Sequence, residues 1–99
     1  MLTHVVSWKV ADAAGLEGQE KIASIVAGLE SLVGAVPSIR SLSVGPNVVT
    51  GPNHWDLGLV VQFDDEVGLE AYQVHPEHQK VGAEIRLLVS AQAVVDFVV

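Results

Sequence analysis

The sequence predicts an α+β fold: an antiparallel sheet with its helices packed against one face. Three observations predict it. Trp55–Phe63 alternates strictly between apolar and mixed residues, the period of a half-buried strand. Glu17–Val33 repeats its apolar residues every three and four positions, the period of an amphipathic helix. The segments then follow one another as strand, helix, strand, strand, helix, strand, and an all-helical reading fails on the alternation in Trp55–Phe63.

The first strand is His4–Val10. His4, Val6, Trp8 and Val10 share one face, and Val5, Ser7 and Lys9 the other. Asp12–Gly18 is a loop of small residues leading into the first helix. In that helix Ile22, Ile25, Val26, Leu29, Leu32 and Val33 form the apolar stripe, while Glu20, Lys21, Ser24 and Glu30 fall elsewhere. Gly28 weakens the helix by up to about 1 kcal/mol against alanine, a cost that a close neighbour would explain. Gly34 is placed to end the helix in the left-handed conformation, with Pro37 barring its return.

Ser38–Val44 reads as the second strand, with Leu42 and Val44 on one face and Ile39 on the other. Gly45–Asn53 carries Gly-Pro-Asn twice, turn chemistry used two times over. In the third strand Trp55, Leu57, Leu59, Val61 and Phe63 make a wholly apolar face. Asp64-Asp65-Glu66 opens the second helix, since an aspartate cap and early acids suit the positive end of the helix dipole. Its inner stripe is predicted as Val67, Ala71 and Val74, extended by Leu69 and Tyr72. Pro76 cannot sit inside that helix, so it ends near Val74 or His75, and Pro76 begins a short third helix carrying His78, Val81 and Ile85 on one side. Ala91–Val98 is the last strand, with Val94 on one face and Val95 and Phe97 split between faces. This is the ferredoxin-like arrangement, and it leaves the sheet's second face bare. Two subunits can cover those faces by closing into a dimeric α+β barrel.

Composition agrees with a covered second face. Apolar residues make up 49% of the chain and charged ones 17%, rich for a domain of 99 residues that must show much of itself to water. The formal net charge is −7, and the five basic residues are scattered at Lys9, Lys21, Arg40, Lys80 and Arg86. Phosphate backbones and anionic membranes require clustered Lys and Arg, so neither nucleic acid nor a membrane surface is an expected partner. No apolar run approaches the roughly eighteen residues of a membrane span. Met1–His4 has no basic leader pattern, so no signal peptide is expected, and the absence of cysteine excludes disulfides and fits, without by itself indicating, the expected cytoplasmic location.

The stretch Leu69-Glu70-Ala71-Tyr72-Gln73-Val74-His75-Pro76-Glu77-His78 gathers the only tyrosine and two of the four histidines around one proline. With Val5-Val6-Ser7-Trp8-Lys9, Val36-Pro37-Ser38-Ile39, Asp56-Leu57-Gly58-Leu59-Val60-Val61-Gln62-Phe63-Asp64-Asp65 and Val95-Asp96-Phe97, it resembles the stress-responsive α/β-barrel (Dabb) domain over nearly the whole chain. The resemblance implies a ferredoxin-like subunit in a homodimeric barrel. Some plant members of that family resemble this chain in the Tyr72–His78 stretch and catalyse an aldol cyclisation of a linear polyketide. In them a histidine acts as base with a tyrosine as its hydroxyl partner, positions that fall on His78 and Tyr72. They carry a further histidine in the third strand, where this chain has Leu57.

The catalytic candidates are therefore His78 and Tyr72, a proton-handling pair at a cavity mouth. Their competing reading is structural: the two satisfy one another and the nearby backbone and so fix the turn. The expected ligand contacts are His4, Trp8, Asp56, Leu57 and His75. His4 lines a cavity or is a satisfied core residue, Trp8 forms wall or core, and Asp56 is poised between pairing and function. His75, directly before the proline, also suits a bond to the backbone of the break. A metal site is not expected, because Pro76 disturbs the helical spacing of His75 and His78 and no further ligand stands nearby. No cofactor is expected, since no phosphate-cradling glycine motif is present. The implied partners are a second copy of the chain and a small apolar or carbonyl-containing ligand. The alternative function is a non-catalytic stress or stability protein acting through its dimer or a higher assembly.

Overall fold

The computed structural model describes residues 1–99. Its elements run β1 (Leu2–Val10), α1 (Gly15–Glu30), β2 (Ser41–Pro46), β3 (Leu57–Phe63), α2 (Glu66–Val74), α3 (Pro76–Arg86) and β4 (Val89–Val98). The four strands form one antiparallel sheet in the order β2-β3-β1-β4, and the three helices cover one face of it. The α+β, ferredoxin-like prediction holds.

The core lies between that face and the helices. β1 contributes Val6, Trp8 and Val10, and β3 contributes Leu57, Leu59, Val61 and Phe63, so the alternation seen in the sequence is the burial pattern of both central strands. Trp55 drops out of the apolar face because pairing begins only at Leu57, and Lys9 lies over its ring instead. From α1 and its exit come Ile25, Leu29, Leu32 and Val36. Val33, predicted inside, is exposed, because the helix closes at Glu30 and the chain turns away through Gly34, whose φ is +86°. The left-handed glycine thus serves the turn after the helix and not its immediate cap.

Two glycines allow close approach. A Cβ on Gly18 would stand 1.7 Å from the Ala13 carbonyl oxygen, so the loop before α1 folds onto the helix only over glycine. The Gly28 position meets Val81 of α3 at 3.4 Å, the neighbour its cost in the helix implied.

The inner face of α2 differs from the prediction. Val67 and Val74 are exposed, as is Ala71, while Leu69 and Tyr72 face the sheet. The nine-residue helix carries apolar side chains on all but the strip of Glu66, Glu70 and Gln73, so spacing alone does not pick which part of that wide arc faces inward. Tyr72 decides it by packing against Phe63, with ring centroids 5.1 Å apart. Val95 and Phe97 also share one face of β4, since residues two apart in a strand must, and that face is the open one.

Candidate functional site

The break between α2 and α3 aims the site. Asp65 caps α2 by accepting from the Gly68 N–H at 3.1 Å. At the far end His75 has extended backbone, and its Nδ1 accepts from the Glu77 N–H at 3.1 Å, making it the N-cap of α3 with Pro76 in the first turn. The new axis turns His78 back over Tyr72, and their ring centroids are 4.1 Å apart. His4 of β1 lies on the other side of the same tyrosine, 6.1 Å away and edge-on.

These three rings border a cavity of about 230 Å³ between the sheet and α2–α3. Val6, Leu29, Leu59, Val81 and Ile85 supply its apolar wall. The volume is below the usual range for drug-sized ligands, so the cavity suits a small molecule. Gln73, Arg86, Gln92 and Val94 are exposed and form the rim, His78 and Gly82 are half-buried, and the other lining residues are buried.

Each polar side chain in it has a defined hydrogen-bonding state. His78 Nδ1 lies 3.3 Å from the Gln73 carbonyl oxygen. A carbonyl only accepts, so Nδ1 carries the proton and Nε2 keeps its lone pair. His4 Nδ1 lies 2.5 Å from Asp96 Oδ1, and the carboxylate again accepts, leaving His4 Nε2 without a protein partner. His4 is 7% exposed, which makes Asp96 its necessary anchor. Tyr72 is 1% exposed, yet its hydroxyl makes no hydrogen bond to the chain. It is nonetheless not sealed off, for Ser38 Oγ is the only buried side-chain polar atom left unpaired. The hydroxyl therefore opens onto the cavity.

Electrostatics separates the tyrosine from the histidine. Burial pushes the Tyr72 hydroxyl up to about 12, so it stays protonated and donates. Burial also lowers the His78 imidazole below its ordinary 6.5; the Gln73 carbonyl opposes this, and the charges of His4, Arg86 and His75 add to it. His78 is consequently a free base at neutral pH.

The cavity brings together His4, Trp8, Tyr72 and His78 among the residues singled out in the sequence. It does not include Asp56, Leu57 or His75. Asp56 closes the end of the β1–β3 pair, its carboxylate accepting from the Val10 N–H at 2.7 Å and its own N–H donating to the Trp8 carbonyl at 2.9 Å. Leu57 is a core residue packed at the end of β3. His75 is consumed by the cap. Three lining or supporting residues were not singled out: Asp96, Gln92 and Arg86. Strand register is the signal for the first two, since β1 against β4 pairs His4 with Asp96 and Trp8 with Gln92. No group of three or more His, Asp or Glu side chains is arranged to hold a metal ion. No helix is long and apolar enough to cross a membrane.

The family model described as Stress responsive A/B Barrel Domain (Dabb) matches residues 2–99. Among solved structures, a dimeric protein of unknown function and ferredoxin-like fold from Bacteroides fragilis is 28% identical, with a TM-score of 0.84 over 97% of this chain and 93% of that one. A dimeric ferredoxin-like protein of unknown function from Jannaschia is 27% identical, with a TM-score of 0.80 over 99% and 98%. A hydroxynitrile lyase from Passiflora edulis shares the fold at 14% identity, with a TM-score of 0.82 over 99% and 92%. No curated protein matches the chain.

Proposed function

The chain belongs to the Stress responsive A/B Barrel Domain family, and on that premise we propose that it is a homodimeric, cytoplasmic barrel protein whose cavity binds a small carbonyl compound and moves protons on it. The observation that carries this reading is the unpartnered Tyr72 hydroxyl between two imidazoles whose Nε2 atoms are also free, all on one apolar cavity. Polar atoms that open onto a cavity without a partner in the chain are free to bond water or a ligand, and clustered titratable groups in a cleft are where ligand chemistry is found.

The chemistry follows from the protonation states. His78 Nε2 takes a proton from the carbon beside the carbonyl, and Tyr72 donates a hydrogen bond to the carbonyl oxygen as negative charge collects there. When the enolate attacks a second carbonyl in an aldol step, the new alkoxide recovers the proton from the His78 imidazolium. His4, oriented by Asp96, completes the polar groups of the cavity interior. That a protein with this fold is a hydroxynitrile lyase supports the fold's capacity for catalysis and no particular substrate.

The test needs no knowledge of the natural substrate. Exchange of α-protons for deuterium in a panel of small ketones, followed by NMR, should be accelerated by the protein and lost in His78→Ala. Rates equal to buffer alone across the panel would sink the catalytic reading.

A second reading, a non-catalytic protein acting through its assembly, is favoured by the open face of the sheet. Val60 (41% exposed), Val95 (60%) and Phe97 (44%) stand there around half-buried Val5. Apolar residues clustered on one face signal a covering partner, and the Bacteroides and Jannaschia proteins are dimeric. Light scattering at micromolar concentration should give twice the 10.5 kDa chain mass, and Val95→Lys should give the single-chain mass. A folded wild-type monomer overturns the dimer in both readings.

A further inference from the structure

The rim of the cavity carries three side chains with hydrogen-bond donors that nothing in the chain satisfies: the Gln73 amide at the end of α2, and two more from α3 and β4. Of these two, Gln92 is the first. Its Oε1 accepts from Trp8 Nε1 at 2.9 Å. An indole N–H can only donate, so the amide orientation is fixed and the Gln92 NH2 is the end left free. Arg86 is the second. It makes no hydrogen bond, and the ion pairs of the chain are His4–Asp96 and Arg40–Asp64. Its guanidinium does not simply extend into water. One terminal nitrogen stands 3.5 Å from where a Cβ on Gly82 would be, so the side chain folds back along α3, one turn toward its start, where Gly82 also lines the cavity. A favourable interaction with the helix C-terminus does not account for this, because the guanidinium lies beside Gly82, back toward the start of α3, and bonds none of the last carbonyls.

Arg86, on the last turn of α3, and Gln92, near the start of β4, both line the cavity. No Asp or Glu lines it; Asp96, bonded to the lining His4, stands outside the lining. In a chain of net charge −7, a carboxylate-free rim holding an unpaired arginine is a local reversal of the general field. Resting on the cavity reading above, we propose that the ligand is a carboxylate: its apolar body fills the cavity against Leu59 and Val81, its anionic head is held at the rim by Arg86 and Gln92, and its reactive carbon lies toward His78 and Tyr72. Arg86 and Gln92 are then specificity-determining residues.

Benzoate and benzamide have nearly the same shape and differ in charge, so they separate this inference from the existence of the cavity. Each is titrated into the wild-type protein while the ring resonances of His4, Tyr72 and His78 are followed by NMR. Benzoate should bind roughly tenfold tighter than benzamide, the worth of one charge-assisted hydrogen bond at a partly exposed site. Arg86→Gln should bring benzoate down to the benzamide value and leave benzamide unchanged. Gln92→Glu keeps an acceptor for Trp8 but places a negative charge at the rim, and should weaken benzoate more than benzamide. Equal binding of the two probes in the wild type overturns the carboxylate and leaves the cavity standing. A benzoate preference that survives Arg86→Gln overturns the role of the arginine. Failure of both probes to move any of the three rings at tens of millimolar overturns the cavity reading and this inference with it.

Discussion

Replacing Tyr72 by phenylalanine separates what the ring does from what the hydroxyl does. The ring is structural: it is packed within 5.1 Å of Phe63 and 4.1 Å of His78, centroid to centroid, and phenylalanine keeps both contacts. The hydroxyl bonds no protein group, so its removal strands no buried partner, the usual source of a large loss. Tyr72→Phe should therefore change stability by no more than about 0.5 kcal/mol, whereas Tyr72→Ala should cost about 3–5 kcal/mol. For a domain of this length 1 kcal/mol corresponds to about 4–8 °C in Tm, so the two variants are easily told apart. Urea unfolding supplies the free energies, with an unchanged m-value as the check that the denatured state is comparable. On the same preparation, ketone α-proton exchange should fall by about 10²–10⁴-fold, the usual worth of a positioned acid or base. A loss above about 1.5 kcal/mol in Tyr72→Phe would show the hydroxyl to be a structural bond, and full retention of exchange would remove it from the chemistry.

Asp96→Ala should cost about 1–3 kcal/mol by urea unfolding, because it leaves the buried His4 Nδ1 without an acceptor; a neutral result would mean the strand pairing alone holds His4. His75→Ala should cost about 1 kcal/mol as a lost cap, and only the double change His75→Ala with Pro76→Ala should let α2 run on and swing His78 away; a crystal structure of the double variant with His78 unmoved would refute this. Burial holds the folded His78 below 6.5, so just under that value the unfolded chain binds a proton that the folded one does not. Stability from this group is complete above about pH 6.5 and is lost as pH falls through that value toward the lower folded pKa, so the wild type should lose more stability between about pH 7.5 and pH 5 than His78→Gln does. Equal losses in the two proteins would contradict a depressed His78.

What could be read in the sequence was local. The period of β3 names its buried residues directly, and Pro76 announces both the end of α2 and the start of α3. Tyr72 and His78 were legible because that proline brings near sequence neighbours together across one turn. The face of α2 was not, because Val67, Leu69, Ala71, Tyr72 and Val74 spread over well more than half of a short helix, and the polar strip of Glu66, Glu70 and Gln73 leaves either flank of that arc available as the inner face. The Gly68–Tyr72 spacing carried the missing information: a Cβ on Gly68 would come 3.2 Å from Phe63, which marks that side as the one pressed to the sheet. Asp96, Gln92 and the free donor of Arg86 belong to long-range geometry. His4 meets Asp96 across 92 positions, and only the order β2-β3-β1-β4 makes them neighbours.

That strand order also explains why one small sheet can serve two purposes. Along β1 the residues alternate between them: His4, Val6 and Trp8 face the helices and the cavity, and Thr3, Val5 and Ser7 face the open side. β4 repeats the division, with Gln92, Val94 and Asp96 inward and Ala93, Val95 and Phe97 outward. A slip of one residue would exchange the faces, sending Asp96 away from His4 and Phe97 into the cavity. The register holds without interruption from Leu2↔Val98 to Lys9↔Ala91, and its single irregularity falls at Lys9/Val10, beyond the last pair that serves the site. There the Asp56 carboxylate takes the Val10 N–H and closes the strand end. Asp56 is bonded at that strand end, and the irregularity lies beyond the pairings of Trp8 with Gln92 and of His4 with Asp96.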